Sequence, residues 1–288
     1  MNCHQNKESK LFGKGNNIIS VLLKMQQNKQ YIMFILFSLS IIMCMIYNLK
    51  SYNKLDFNIY LINLKRRPDR YKKFMEYYTS SDLKNHQLIR FNAIDGSLLN
   101  VNNVPLTDLA KNELKQLDNS GFRTKHYQLT KGAIGCYLSH VKLWENILKT
   151  NTEYSLIFED DAKIPSQIHK SIKSEIRNVP TDWDIILLGY MCTECIEFKK
   201  YYSVNRFMLT HCYLIKRTAI IKIMETNTLF PISQQIDSHM SELSSILNIY
   251  ALNDPLNKVK QFSSRTDIQA PLYDKNSKHV NDRVKIVM

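Results

Sequence analysis

Three acidic residues stand side by side at Glu159-Asp160-Asp161, directly after the apolar run Tyr154 to Phe158. Adjacent carboxylates repel one another, so the arrangement is costly unless a cation or several hydrogen-bond donors compensate. A hard divalent cation with oxygen ligands is the simplest compensator, and it would bridge to phosphate oxygens. In an extended segment Glu159 and Asp161 point to one side and Asp160 to the other. Asp161 is therefore the first candidate ligand and Glu159 the second, which leaves Asp160 to contact a sugar or ribose. The competing reading is a solvated acidic turn.

Other residues offer chemistry with plainer alternatives beside it. Gly132 and Gly135 permit close backbone approach at the start of a helix, a place suited to phosphate; they serve equally for helix packing. His140, in the pair Ser139-His140, is either a satisfied core histidine or a proton-handling group. Of six cysteines only Cys192-Thr193-Glu194-Cys195 has a suggestive spacing. Without a second pair or nearby histidines it reads as a loop disulfide or two unrelated thiols rather than a zinc site.

The elements that must position these groups follow from hydrophobic periodicity. Phe57 to Leu64 reads as a first strand, and Pro68 suits the first turn of the next helix. Gln87 to Ile94 is a second strand ending in an Asp95-Gly96 turn, and Leu106 to Leu117 has helical spacing. Ala133 to Lys149 carries an apolar helix stripe through Ile134, Leu138, Val141 and Leu148. Tyr154 to Phe158 is a short apolar strand, and Ile168, Ile172 and Ile176 mark a helix. Trp183 to Leu188 is a buried strand closed by Gly189, Leu209 to Ile215 is a further strand, and a helix covers Thr218 to Glu225. Strands alternating with helices imply an α/β fold with a mostly parallel central sheet covered on both faces. In open sheets of this kind ligands bind beyond the carboxyl ends of the strands, where the triplet lies.

Five motifs occur in a fixed order: Tyr60-Leu61-Ile62-Asn63-Leu64-Lys65-Arg66-Arg67-Pro68-Asp69-Arg70, Asn92-Ala93-Ile94-Asp95-Gly96, Lys131-Gly132-Ala133-Ile134-Gly135-Cys136-Tyr137-Leu138-Ser139-His140, Leu156-Ile157-Phe158-Glu159-Asp160-Asp161 and Trp183-Asp184-Ile185-Ile186-Leu187-Leu188-Gly189, with a further match at Ser264-Arg265-Thr266-Asp267-Ile268. In this the chain resembles glycosyltransferase family 25, which includes lipopolysaccharide glycosyltransferases and procollagen galactosyltransferases. The resemblance implies a GT-A-like single nucleotide-sugar-binding domain, a UDP-sugar donor, a divalent ion (usually manganese) and inversion at the anomeric carbon. Galactose and glucose are the expected sugars, and a glycan, a lipid-linked glycan or a hydroxylysine-type group the expected acceptor. By position, Asn63, Arg70 and Asp95 would line the donor pocket, and Lys131, Gly132, Gly135 and Asp160 are the further candidates for donor binding. Asn63 otherwise reads as a strand-end cap, Arg70 as an exposed helix arginine, and Asp95 as the first residue of a tight turn. Direct transfer needs a base to deprotonate the acceptor hydroxyl. Asp237 and His140 are the candidates; family members often carry Asp nearer the proline, where Ser233 stands here.

A chain of 288 residues, 44% hydrophobic, can bury one substantial core. The net charge of +13 favours contact with something anionic, or is a solvated lysine-rich surface. Residues 31–49 carry no charge and as a helix would reach across about 28 Å at 1.5 Å per residue, enough to span a bilayer. The expected organisation is a basic tail at 1–30, a transmembrane anchor at 31–49, a short stem at 50–56 and the catalytic domain at 57–288. Lysines in the tail favour a cytosolic N-terminus and a lumenal domain, a type II single-pass protein. The absence of any Asn-x-Ser/Thr sequon pulls mildly the other way. Two rival readings are a catalytically inactive glycosyltransferase-like binding module and a basic membrane-tethered nucleic-acid binder. The second has scattered lysines and no recognition motif, so nucleic acid is not an expected partner.

Overall fold

The computed structural model describes residues 28–45, 55–262 and 266–269. Helix α1, Asn28–Met45, exposes its side chains along its whole length and is long and apolar enough to cross a membrane. Residues 46–49 of the expected span, 50–54 of the stem, and the ends of the chain lie outside the described residues.

From Leu55 onward the chain forms a six-stranded sheet of order β2 (Leu88–Asn92), β1 (Phe57–Asn63), β3 (Tyr154–Glu159), β6 (Tyr201–Lys216), β5 (Ile185–Glu197), β7 (Ile249–Leu252). Strand β1, Phe57–Asn63, lies between β2, Leu88–Asn92, and β3, Tyr154–Glu159, parallel to both. The apolar run of β3 is buried on both faces: Leu156, Ile157 and Phe158 are fully covered. Burial of each such side chain contributes roughly 1.5–3 kcal/mol, which fixes the strand that delivers the acidic triplet. Register then gathers polar residues at one edge, with Asn63 opposite Asn92 and Ile62 opposite Glu159.

The helices between these strands start where the sequence places them. Helix α2, Pro68–Thr79, has proline in its first turn and buries Arg70, Phe74 and Tyr78. Helix α3, Asp108–Ser120, is capped by Thr107 and ends at Gly121, whose φ of 74° suits a residue without a Cβ. Helix α4, Lys131–Leu148, is capped by Thr130, whose hydroxyl accepts from the Ala133 amide at 2.9 Å. The apolar stripe of α4 packs Ile134, Tyr137, Val141, Trp144 and Ile147 into the core.

Beyond β3 the architecture departs from simple alternation. After β4, Ala162–Lys163, and α5, Ile168–Glu175, strand β5 runs from Ile185 to Glu197, so Gly189 does not close it. Strand β6, Tyr201–Lys216, begins eight residues earlier than its apolar segment suggests and pairs antiparallel with both β3 and β5. The sheet is therefore mixed, mostly parallel with β6 reversed. The outer half of β5 is largely exposed, and there Cys192 and Cys195 form a disulfide. Helix α6, Arg217–Glu225, follows, then α7, Ile236–Glu242, and β7, Ile249–Leu252, parallel to β5. Neither α7 nor β7 is marked by periodicity, because seven and four residues are too few to show it. Strand β8, Lys260–Gln261, pairs with β4 and brings the last described segment back beside the triplet.

Candidate active site

The triplet lies where β3 ends, and each of its carboxylates has a different environment. Glu159 Oε1 accepts from the Thr210 hydroxyl at 2.5 Å and lies 3.3 Å from His140 Nε2. Burial opposes its ionisation, but the bonds from His140 and Thr210 outweigh that and hold the carboxyl below its ordinary range. Asp160 points the other way, as alternation requires. It accepts from Asn63 Nδ2 at 2.6 Å and from Arg70 Nη1 at 2.8 Å. Burial still raises its pKa against those two partners.

Asp161 is the unsettled member. Its Oδ2 has only a 3.4 Å contact from Gln261 and a distant Arg70 at 3.9 Å, and its buried Oδ1 has no hydrogen-bond partner among the described residues. Burial and the charge of Glu159 push its pKa up to about 7. A buried carboxylate oxygen without a donor, next to an ionised glutamate, fits a divalent cation: the ion would supply the missing partner and reverse the repulsion.

Beside the triplet lies an open cleft that Glu159 and Asp160 line and Asp161 does not. Glu159 and Asp160 line its floor, Cys136 and Ser139 of α4 one wall, and Asp95 and Gly96 another. Its mouth is basic. Arg66 Nη1 donates to Asp267 Oδ1 at 2.5 Å and Arg66 Nε to Asp95 Oδ2 at 2.5 Å, while Arg67 also pairs with Asp267 and Arg70 Nε lies 3.8 Å from it. The Arg66 bond, aided by Ser97, holds Asp95 down to about 2.

The sequence-based candidates are sorted by this geometry. Asn63 is a buried hub: it donates to Asp160, and its Oδ1 accepts from Arg90 at 2.5 and 3.0 Å. Arg70 is buried too, not the exposed helix arginine its position allowed. Asp95 lines the cleft and also caps the following turn by accepting from Ser97. Gly132 and Gly135 are packed against backbone: a Cβ on Gly132 would strike Asp267 and Ile268, and one on Gly135 would meet Gly96 N at 2.6 Å. Of the two only Gly132 lines the cleft. Lys131 turns away, pairing with Asp118 at 3.1 Å on the surface.

His140 and Asp237 are not among the residues that line the cleft. His140 is fully buried, with Tyr213 OH 2.8 Å from Nδ1 and Glu159 on Nε2. Asp237 Oδ2 accepts from the amide of Leu209 at 3.0 Å and Oδ1 from that of Ser238 at 2.8 Å, and burial raises its pKa. Leu209 has a φ of 74°, a left-handed conformation uncommon for a side chain of its size, and the next residue is Thr210. Thr210 escapes sequence reasoning, because nothing in a strand marks which hydroxyl meets a carboxylate 51 residues away. Gln261 is likewise visible only after folding, as is the pairing of Arg66 and Arg67 with Asp267, residues that the motifs had named separately. Cys136 does carry a signal, since it stands one helical turn before His140.

A family model described as Glycosyltransferase family 25 (LPS biosynthesis protein) matches residues 57–267, well over half of the chain. The chain belongs to glycosyltransferase family 25. Its curated relatives in that family include human Procollagen galactosyltransferase 2, 30% identical over 146 residues, which are 48% of this chain and 21% of the relative. Xenopus laevis Procollagen galactosyltransferase 1-B is 31% identical over 145 residues, 48% of this chain and 22% of the relative. Human Inactive glycosyltransferase 25 family member 3 is 30% identical over 144 residues, 49% of this chain and 23% of the relative. The chain thus covers about a fifth of the length of these relatives. Transferases and a member named inactive are equally similar to it, so within family 25 the site itself has to distinguish turnover from binding.

Proposed function

We propose that this chain transfers a hexose, galactose or glucose, from a UDP-sugar to a hydroxyl on a glycan, lipid-linked glycan or hydroxylysine-type acceptor, with inversion and with a divalent cation, Mn²⁺ in the first instance. The observation that carries the reading is Asp161: a buried carboxylate with a partnerless oxygen, beside ionised Glu159, at the carboxyl end of a central strand. Asp161 and Glu159 would hold the cation. When bound, the ion supplies neutralisation of charge that builds on the departing diphosphate.

The remaining residues bind and orient. Asn63 and Arg70 fix Asp160, leaving its carboxylate a defined contact for ribose or sugar. The guanidinium groups of Arg66, Arg67 and Arg70, now shared by Asp267 and the neighbouring acids, offer paired N–H donors for phosphate oxygens. Thr210 and His140 fix Glu159 from behind. We assign His140 and Asp237 a positioning role: His140 acts on Glu159 directly, and Asp237 through the Leu209 amide and Thr210.

The domain would sit on the lumenal side of a membrane, anchored by α1. The tail lysines support that orientation, and the Cys192–Cys195 disulfide suits an oxidising compartment.

A second reading, a non-catalytic binding module, draws on the relative named inactive. Incubating the chain with a panel of UDP-sugars and Mn²⁺ and measuring UDP release separates the two. Release from one sugar nucleotide supports the transferase; donor binding without release supports the module.

A further inference from the structure

Behind the carboxylate floor lies a second set of metal-ligating atoms, softer than the first. Cys136 and His140 are four residues apart on one face of α4, and both look toward Glu159 at the end of β3. The Cys136 sulfur, a His140 ring nitrogen and a Glu159 oxygen all lie within 4.8 Å of one another. Tetrahedral zinc, with bonds of about 2.0–2.3 Å, spaces its ligands by roughly 3.5 Å. The 3.3 Å separation of His140 Nε2 from Glu159 Oε1 already meets that spacing, and the Cys136 sulfur lies within 4.8 Å of both groups.

The surroundings suit a metal-bound histidine. The Tyr213 hydroxyl lies 2.8 Å from His140 Nδ1 and would accept the imidazole proton there once a cation replaces the proton that Nε2 shares with Glu159. Trp144 Nε1 donates to the same hydroxyl at 3.0 Å and holds it in place. Thr210 orients the carboxylate. Cys136 and Glu159 both line the cleft, so a fourth coordination position opens toward solvent or a ligand oxygen.

We infer that Cys136, His140 and Glu159 form a binding site for a thiophilic divalent cation of the zinc class, overlapping the hard-cation site through Glu159. Binding releases the thiol proton of Cys136 to solvent and leaves the thiolate on the metal, with no change of oxidation state. Because Glu159 serves both sites, zinc and the hard cation exclude each other, and zinc inhibits. The inhibitory consequence rests on the transferase reading above; the binding itself does not.

The test is spectroscopic and uses Co²⁺ as the zinc-class probe on the full-length, detergent-solubilised chain under non-reducing conditions. One equivalent of Co²⁺ should give a thiolate-to-cobalt charge-transfer band, displaced by Zn²⁺. Cys136→Ser should abolish the band and weaken Zn²⁺ binding at least tenfold by calorimetry, with its thermal melt close to wild type. Asp161→Asn, outside the trio, should keep the band. No band in the wild type, or one that survives Cys136→Ser, overturns the site. A band without any UDP release leaves this site standing and removes the transferase reading; UDP release without a band does the reverse.

Discussion

At the scale of single residues, burial turns three like carboxylates into three different groups. Glu159 is ionised by its donors, Asp160 is held by Asn63 and Arg70, and Asp161 is pushed up to about 7 by burial and by Glu159. An unfolded Asp titrates near 4, so between about pH 4 and pH 7 the folded chain keeps a proton that the unfolded chain has lost. Stability therefore falls as pH rises through that window and levels off above it. A shift of about three units corresponds to at most about 4 kcal/mol, less here because 15% of the Asp161 side chain is exposed. In chelator, Asp161→Asn should flatten much of this slope and melt higher than wild type at pH 7.5. Asp160 and Asp237, raised by burial too, leave a residual slope of the same sign. Equal melting temperatures for wild type and variant across pH 4–8 would contradict the assignment. The triplet itself was legible, since three adjacent acids after an apolar strand demand compensation. Which oxygen lacks a partner was not, because that depends on Arg70 and Gln261, 91 positions before and 100 after.

At the scale of elements, the device that connects Asp237 to the site is the reversed strand β6. Asp237 accepts from the amide of Leu209, which holds a left-handed turn that presents Thr210 to Glu159. Asp237→Ala leaves two half-buried amides short of an acceptor, at a cost of up to about 1–3 kcal/mol each. The melt should fall accordingly, and donor hydrolysis without acceptor should slow with it. That second readout decides the role, because an acceptor base affects transfer to the acceptor and leaves hydrolysis by water largely unchanged. The strands that read most clearly in sequence, β1 and β3, are short apolar runs that end in a polar residue on the site. Strand β6 was only half legible: its first half places buried Val204 and Phe207 three residues apart around exposed Asn205 and Arg206, which breaks the period of two, and hydrophobic alternation carries no information about strand direction. The two-residue pairing of β4 with β8 has no periodic signal at all, yet it returns Asp267 to the arginines.

At the scale of the whole molecule, an exposed apolar helix precedes a folded domain that belongs to glycosyltransferase family 25. Helix α1 supports membrane attachment by length and composition. The full chain should sediment with membranes and resist alkaline extraction, whereas a chain starting at Ser51 should remain in the supernatant. Full-length protein in the alkaline supernatant would rule out the anchor.

The central claim is that Asp161 holds a divalent cation required for turnover. Departure of a diphosphate builds negative charge that a bound ion stabilises by several kcal/mol, and each factor of ten in rate is about 1.4 kcal/mol. The most direct measurement is the initial rate of UDP release from the preferred UDP-sugar, with Mn²⁺ and with chelator, for wild type, Asp161→Ala and Asp161→Asn, beside their melts. Chelator should abolish wild-type release, and both variants should remain folded while losing at least about a hundredfold in rate. Wild-type release that survives chelation, or a folded Asp161→Ala protein working at full rate, would contradict the account.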